Sequence, residues 1–143
     1  MFHPKLFENC NVVVTGAGRG IGLEVARQFL DCGARVLVHT GRQGERELPD
    51  FLLTAESERR ALLLPADFLQ PGGAAEFAEE ALEFFDKVHV LVNNAGTMHG
   101  RFPAGELTDA DYETVVRLNQ TSVVELTRAL LPALRAAQGA AIV

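Results

Sequence analysis

Eight residues hold four glycines, one threonine and one arginine: Thr15-Gly16-Ala17-Gly18-Arg19-Gly20-Ile21-Gly22. Where such a loop joins a buried strand to a helix, it turns main-chain N–H groups and the positive end of the helix dipole toward an anion. Glycine lets a phosphate approach the backbone closely, so the chemistry on offer is phosphate capture rather than bond making. No register of the loop fits Gly-x-Gly-x-x-Gly, and Gly20-Ile21-Gly22 stands where an ATP-type phosphate loop needs Gly-Lys-Ser/Thr. What it does fit is Thr-Gly-x-x-x-Gly-x-Gly, through Thr15, Gly16, Gly20 and Gly22. Gly16-x-Gly18-x-Gly20 also matches loops that hold S-adenosylmethionine, which leaves a methyltransferase open as an alternative.

Three other places carry groups of the same kind. Asn93-Asn94-Ala95-Gly96 is a polar turn directly after an apolar run, Asp67 follows Pro65-Ala66, and Asn119 interrupts an apolar series. No set of His, Cys, Asp and Glu has metal-type spacing. Cys10 and Cys32 lie in or near predicted elements and read as reduced and structural.

The elements that must position these groups alternate, strand then helix, which predicts a parallel sheet covered on both faces. Asn11–Val14 reads as a fully buried first strand. Ile21, Val25 and Phe29, four apart, place an apolar stripe on a following helix that Gly33 closes with a left-handed cap. Arg35–Val38 is the second strand, and Gly41–Leu53, with Gly41, Gly44 and Pro49, reads as a loop with about one helical turn. Ala61–Leu64 is the third strand, stopped by Pro65, and Gly73–Asp86 a helix with Phe77, Ala81 and Phe84 on its inner face. Val88–Val92 is the fourth strand, which puts the Asn-Asn turn at the edge where open parallel sheets bind ligands.

From Thr108, with Asp109 and Asp111 complementing the dipole, one long helix is predicted to about Ala137, bent near Pro132. Gly139 ends it, and Ala140–Val143 starts a fifth strand. On that helix Tyr112, Val116, Asn119, Val123, Leu126 and Leu130 share a face. An unpartnered buried amide costs about 1–3 kcal/mol, so Asn119 is expected inside and tied to backbone or water.

The glycine pattern and Asn93-Asn94-Ala95-Gly96, taken together, resemble the short-chain dehydrogenase/reductase family, over essentially the whole chain but only the family's first half. The resemblance implies an α/β fold of the Rossmann type, a doubly wound parallel sheet. It is read as one incomplete NAD(P)-binding domain over residues 1–143, truncated in or after the fifth strand. It implies that Thr15, Gly16, Gly18, Arg19, Gly20, Ile21 and Gly22 hold the cofactor together with Asn93, Ala95 and Gly96, that Asp67 accepts from the adenine amino group, and that Asn119, of the catalytic set, holds a water leading to a catalytic lysine. The loop after the fourth strand would lie near the substrate entrance, making Thr97, Met98 and His99 pocket candidates.

Rossmann-type NAD sites carry an acid after the second strand, whereas a 2′-phosphate calls for arginine. Here the stretch is His39-Thr40-Gly41-Arg42, and Arg19 is placed like the basic residue of NADP-preferring relatives. One charged hydrogen bond of about 1.5–3 kcal/mol would favour NADP(H), with NAD(H) still open. The family's reduction chemistry needs a serine and Tyr-x-x-x-Lys. The only tyrosine is Tyr112, with Val116 four residues on, and the lysines are Lys5 and Lys87. The first reading is therefore an NADP(H)-dependent oxidoreductase of carbonyls or alcohols, present as its cofactor-binding half and inactive alone. The second is a non-catalytic NADP(H)-binding or interaction module.

Composition narrows the field further. The chain has 143 residues, 48% apolar and 22% charged, as a globular protein does. A net charge of −6 without a basic cluster argues against nucleic acid, and no apolar run is long enough to cross a bilayer. Met1 to Cys10 offers no signal-peptide core, so a cytoplasmic protein acting on a small molecule is expected, homo-oligomeric in a complete form. An unpaired fifth strand and a partly uncovered last helix are expected to promote association.

Overall fold

The computed structural model describes residues 2–42 and 47–143, so the expectation about Gly44 lies outside the described residues. In chain order the elements are β1 (Asn11–Val14), α1 (Gly20–Asp31), β2 (Arg35–His39), α2 (Asp50–Ser57), β3 (Ala61–Leu64), α3 (Gly73–Phe84), β4 (Val90–Val92), α4 (Asp109–Val116), a π-helical turn (Arg117–Thr121), α5 (Ser122–Ala136) and β5 (Ala141–Ile142). All pairings are parallel and the strand order is β3-β2-β1-β4-β5. The order reverses between β1 and β4, and a sheet of this kind opens a crevice at that point, beyond the carboxyl ends of its strands.

Strand alternation divides the core in two. Val13, Leu37 and Leu91 face Phe77, Ala81, Leu126 and Leu130 of α3 and α5. Val12, Val14, Val36 and Val38 face Ala26 and Leu30 of α1 and Leu52 and Ala55 of α2. Both faces of β1 and β2 are covered, which is why these strands read as unbroken apolar runs rather than as alternating ones. Each fully buried Val or Leu stabilises the fold by about 1.5–3 kcal/mol.

Several helical faces differ from expectation. On α1 the buried residues are Gly22, Ala26 and Leu30, while Ile21 is 79% exposed. The small residues let α1 close on β1, which turns the larger stripe sideways. On α3, Phe77 and Ala81 are buried as expected, but Phe84 is half exposed and Phe85, just past the helix, takes the inner place. The loop expected over Gly41–Leu53 gives way to α2, whose start at Asp50 follows Pro49 and whose Leu52 and Ala55 reach the core. β4 begins two residues later than expected: the Val88 N–H goes to Ala133 O of α5, and His89 forms the transition, its N–H bonded to Asn11 O and its carbonyl to Ala141 N–H.

The long helix is not one α-helix. Ser122 N–H reaches back five residues to Arg117 O, and the Ser122 hydroxyl bonds to Leu118 O at 2.6 Å. The wide turn shifts the faces before it, so Tyr112 is 60% exposed and Asn119 is exposed too, against the expectation of a buried amide. Pro132 lies within α5 without dividing it. Gly33 and Gly139 take positive φ after α1 and α5, as their helix-ending roles require. No helix among the described residues is long and apolar enough to cross a membrane.

Candidate functional site

α1 and α4 begin in opposite ways. α4 has a capping box: Thr108 Oγ1 accepts from Asp111 N–H, Asp111 returns a bond to Thr108 N–H, and Asp109 and Asp111 fill the first turn. α1 starts from Arg19 in extended conformation, with no side-chain cap and no acid in its first turn. The first N–H groups of a helix have no partner within it, so those of Gly20 and Ile21, which face the cavity, remain available to an outside anion. This end opens on a cavity of about 940 Å³ at the carboxyl edge of β1, β2 and β4.

The glycine loop is fastened from behind by the turn after β4. Asn94 Nδ2 donates to Thr15 O at 2.9 Å and Gly16 O at 3.1 Å. Ala95 N–H donates to Thr15 Oγ1 at 2.9 Å, while that hydroxyl points toward Val92 O at 3.3 Å. Gly16, at φ +62°, leaves no room for a side chain, since an added Cβ would stand 2.8 Å from Ala95 Cα. Gly22 lies equally close to the bond pair, where its Cβ would meet Asn94 Nδ2 and Gly16 O.

Of the residues expected at the site, Gly16, Gly18, Arg19, Gly20, Ile21, Arg42, Asp67, Ala95 and Gly96 line the cavity. Thr15 and Gly22 sit behind it as supports. Asn93 does not line it: its N–H still pairs with the carbonyl of Val143, just past β5, and its Oδ1 is buried without a donor. Asp67 uses Oδ1 to accept the Leu69 N–H at 3.0 Å. Thr97 and His99 line the cavity, whereas Met98 is 66% exposed. His99 Nε2 lies 3.2 Å from Asp111 Oδ1, and the Thr108 hydrogen bonds, ahead of His99, hold the Asp111 carboxyl below its usual range.

Asn119 is tied to backbone, as expected, though at the surface. Its Oδ1 accepts Thr97 N–H at 3.0 Å, and its Nδ2 donates to Thr97 O at 2.7 Å and Val115 O at 2.9 Å. The carboxamide thus clamps the loop after β4 to the π-turn. Asn119→Ala is expected to cost about 1–2 kcal/mol in denaturant unfolding and to speed amide exchange in Thr97–His99. Unchanged exchange there would show the clamp to be idle.

Sequence reasoning missed two residues. Asn94, rather than Asn93, does the fastening; its signal was that it is the first residue of the turn free of the sheet ladder. His39 is the other. It was read only as a non-acidic residue after β2, yet it is 3% exposed, and its ring bonds the glycine loop on one side and Ala66 on the other. A histidine ending a strand buried on both faces was the available signal.

Comparison with known proteins decides the family. Residues 10–143 match the profile of the short chain dehydrogenase family. The chain belongs to that family. It is 35% identical over 131 residues to dehydrogenase/reductase SDR family member 7B of Rattus norvegicus, a match covering 88% of this chain and 40% of that protein. The Pseudomonas aeruginosa RhlG/NADP active-site complex superposes with a TM-score of 0.80 at 31% identity, over 95% of this chain and 52% of that one. The NADH-dependent reductase A1-R′ complexed with NAD gives 0.80 at 30% identity, over 91% and 54%. The chain therefore spans about half the length, or less, of these relatives. Its parallel Rossmann-type sheet is the one that these short-chain dehydrogenase relatives share, and the glycine loop and Asn-Asn turn fall inside the matched region.

Proposed function

We propose that this chain is the cofactor-binding half of a short-chain oxidoreductase that moves hydride between NADP(H) and a carbonyl or alcohol. The observation that carries this reading is the uncapped, acid-free first turn of α1, opening on the cavity at the point where the sheet reverses. A diphosphate would meet the N–H groups of Gly20 and Ile21 there, and Asp67 lines the cavity near the end of β3 where an adenine would lie. The nicotinamide, when bound, supplies the hydride chemistry. The protein's part is to bind, orient and shield.

Arg19 and Arg42 both line the cavity, and His39-Thr40-Gly41-Arg42 at the end of β2 holds no acid, so two guanidinium groups are on hand for a 2′-phosphate. One solved relative holds NADP and another NAD. The arginines favour NADP(H) for this chain. Asn119, its carboxamide consumed by Thr97 and Val115, is assigned a positioning role for the loop facing substrate, not direct contact with the reacting atoms. These 143 residues contain no Tyr-x-x-x-Lys, so the chain alone is expected to bind without turning over.

Calorimetric titration with NADPH and NADH tests this. NADPH should bind more tightly, and Arg19→Ala and Arg42→Ala should each narrow the gap by about 10- to 100-fold at most, the value of one charge-assisted bond. Equal affinities in the parent would overturn the NADP(H) preference, and no heat with either dinucleotide would overturn the binding reading itself. Turnover of a carbonyl by this chain alone would refute the assignment as a half-site.

A further inference from the structure

His39 closes β2 at the floor of the cavity, stacked on Phe68 with ring centroids 4.0 Å apart and edge-on to Phe77 at 5.1 Å. Its two ring nitrogens face groups that leave no choice of tautomer. Gly16 N–H can only donate, and it meets Nδ1 at 3.1 Å. Ala66 O can only accept, and it meets Nε2 at 3.0 Å. Both bonds exist together only when Nδ1 is bare and Nε2 carries the proton, the neutral form. The main chain of the same residue adds a third tie, since His39 O accepts Ala17 N–H at 2.8 Å. One side chain thus links the glycine loop to the segment leading into Asp67.

We propose that His39 is a positioning residue of the dinucleotide site: as a neutral bridge it fixes the glycine loop relative to the Ala66–Asp67 segment, and its protonation in acid releases that loop. This rests on the dinucleotide reading above for its effect on affinity, but the bridge itself does not. A protonated Nδ1 would place a second donor against Gly16 N–H, so the bond turns repulsive. The surroundings favour the neutral ring. Burial lowers its pKa below the usual 6.5 or so, opposed by the Ala66 carbonyl and by the Asp67 charge. Asp67 is the charged group acting on the ring; Phe68 and Phe77 carry none, the end of β1 and the loop after it bring only Val14, Thr15 and Gly16, and Arg19 and Arg42 line the same cavity. The sign follows: with the folded value depressed, stability is complete above the unfolded histidine value and is lost as pH falls through it toward the folded one.

Two variants separate bridging from filling. His39→Phe keeps the aromatic stack and loses both bonds; His39→Gln keeps a donor and an acceptor without a titrating ring. Gly16 amide exchange and the ring nitrogen shifts of His39 report the bridge by NMR, and NADPH titration reports the site, at about pH 7.5 and about pH 5. The expected result is an Nε2-protonated ring, a protected Gly16 amide that His39→Phe exposes, and NADPH affinity about tenfold weaker in that variant. His39→Gln should restore most of the affinity, and the parent should weaken relative to it to the extent that the ring nitrogen shifts show His39 protonated in acid. The ligand's own titration cancels in that ratio. An Nδ1-protonated ring, or a Gly16 amide equally protected in folded His39→Phe, overturns the bridge. A confirmed bridge with NADPH affinity that His39→Phe leaves unchanged overturns its positioning role. A parent that binds no NADPH at either pH, with Gly16 protected, overturns the positioning role together with the dinucleotide reading while the bridge stands.

Discussion

Gly16→Ala is expected to destabilise the fold by about 2–5 kcal/mol and to remove measurable dinucleotide binding. Two separate costs meet at this position. A side chain at φ +62° sits in left-handed backbone, which costs about 1–2 kcal/mol for any residue with a Cβ. That Cβ would also stand 2.8 Å from Ala95 Cα, in a place fixed by the Asn94 and Thr15 bonds, and overpacking of this kind adds about 1–3 kcal/mol. Relief requires the glycine loop and the turn after β4 to part, which is why binding should fall along with stability. Gly20→Ala is the control. Its φ of +58° carries the same backbone cost, but nothing lies within 4 Å of the added carbon. Equilibrium unfolding in denaturant should rank the parent above Gly20→Ala and Gly20→Ala above Gly16→Ala. If the two variants were equally stable, the Ala95 contact would carry no weight.

The comparison of those two glycines also shows what could be read from the sequence. Pattern located the loop, because a buried β-branched run followed by glycines and a helical period has few other readings. Pattern likewise put the Asn-Asn turn at the carboxyl edge of β4, because strand and helix alternate without interruption. It did not show which glycines are crowded, since crowding is a property of two segments nearly eighty residues apart. The same limit explains α1. Large apolar residues four apart suggested the buried face, but the helix must come close enough for Gly22 to touch Gly16 and Asn94, so the small residues took the inside and Ile21 faced the cavity.

Asn119 failed differently. Its face was assigned with a constant period of 3.6, and a single turn closed by bonds five residues long rotates everything before it relative to α5. Nothing in Arg117–Thr121 marks that turn by composition. The pairing of Ser122 Oγ with Leu118 O and of Asn119 Nδ2 with Val115 O shows how the local bonding was made good. His39 was legible in principle. A polar ring ending a fully buried strand needs partners for both nitrogens, and the nearest strand ends on either side of β2 are those of β1 and β3.

Asn94 is the residue on which the second large effect is expected. Its amide donates to both Thr15 O and Gly16 O, so Asn94→Ala should cost about 1–3 kcal/mol as those carbonyls lose their bonds. Asn94→Asp should cost more, about 3–5 kcal/mol, because it aims a carboxylate at both oxygens in a half-buried place. That placement disfavours the ionised form, so the folded pKa of the new acid rises above its ordinary value of about 3.9. The deficit of Asn94→Asp relative to Asn94→Ala is therefore absent below the unfolded value. It opens as pH rises and is complete once pH exceeds the raised folded value. Denaturant unfolding of both variants at about pH 7.5 and about pH 4 measures it, and the His39 contribution, common to both, cancels in the difference. A gap that stays constant between the two would mean that the carboxylate has swung to solvent. An Asn94→Ala variant as stable as the parent would mean that the turn after β4 merely lies beside the glycine loop without holding it.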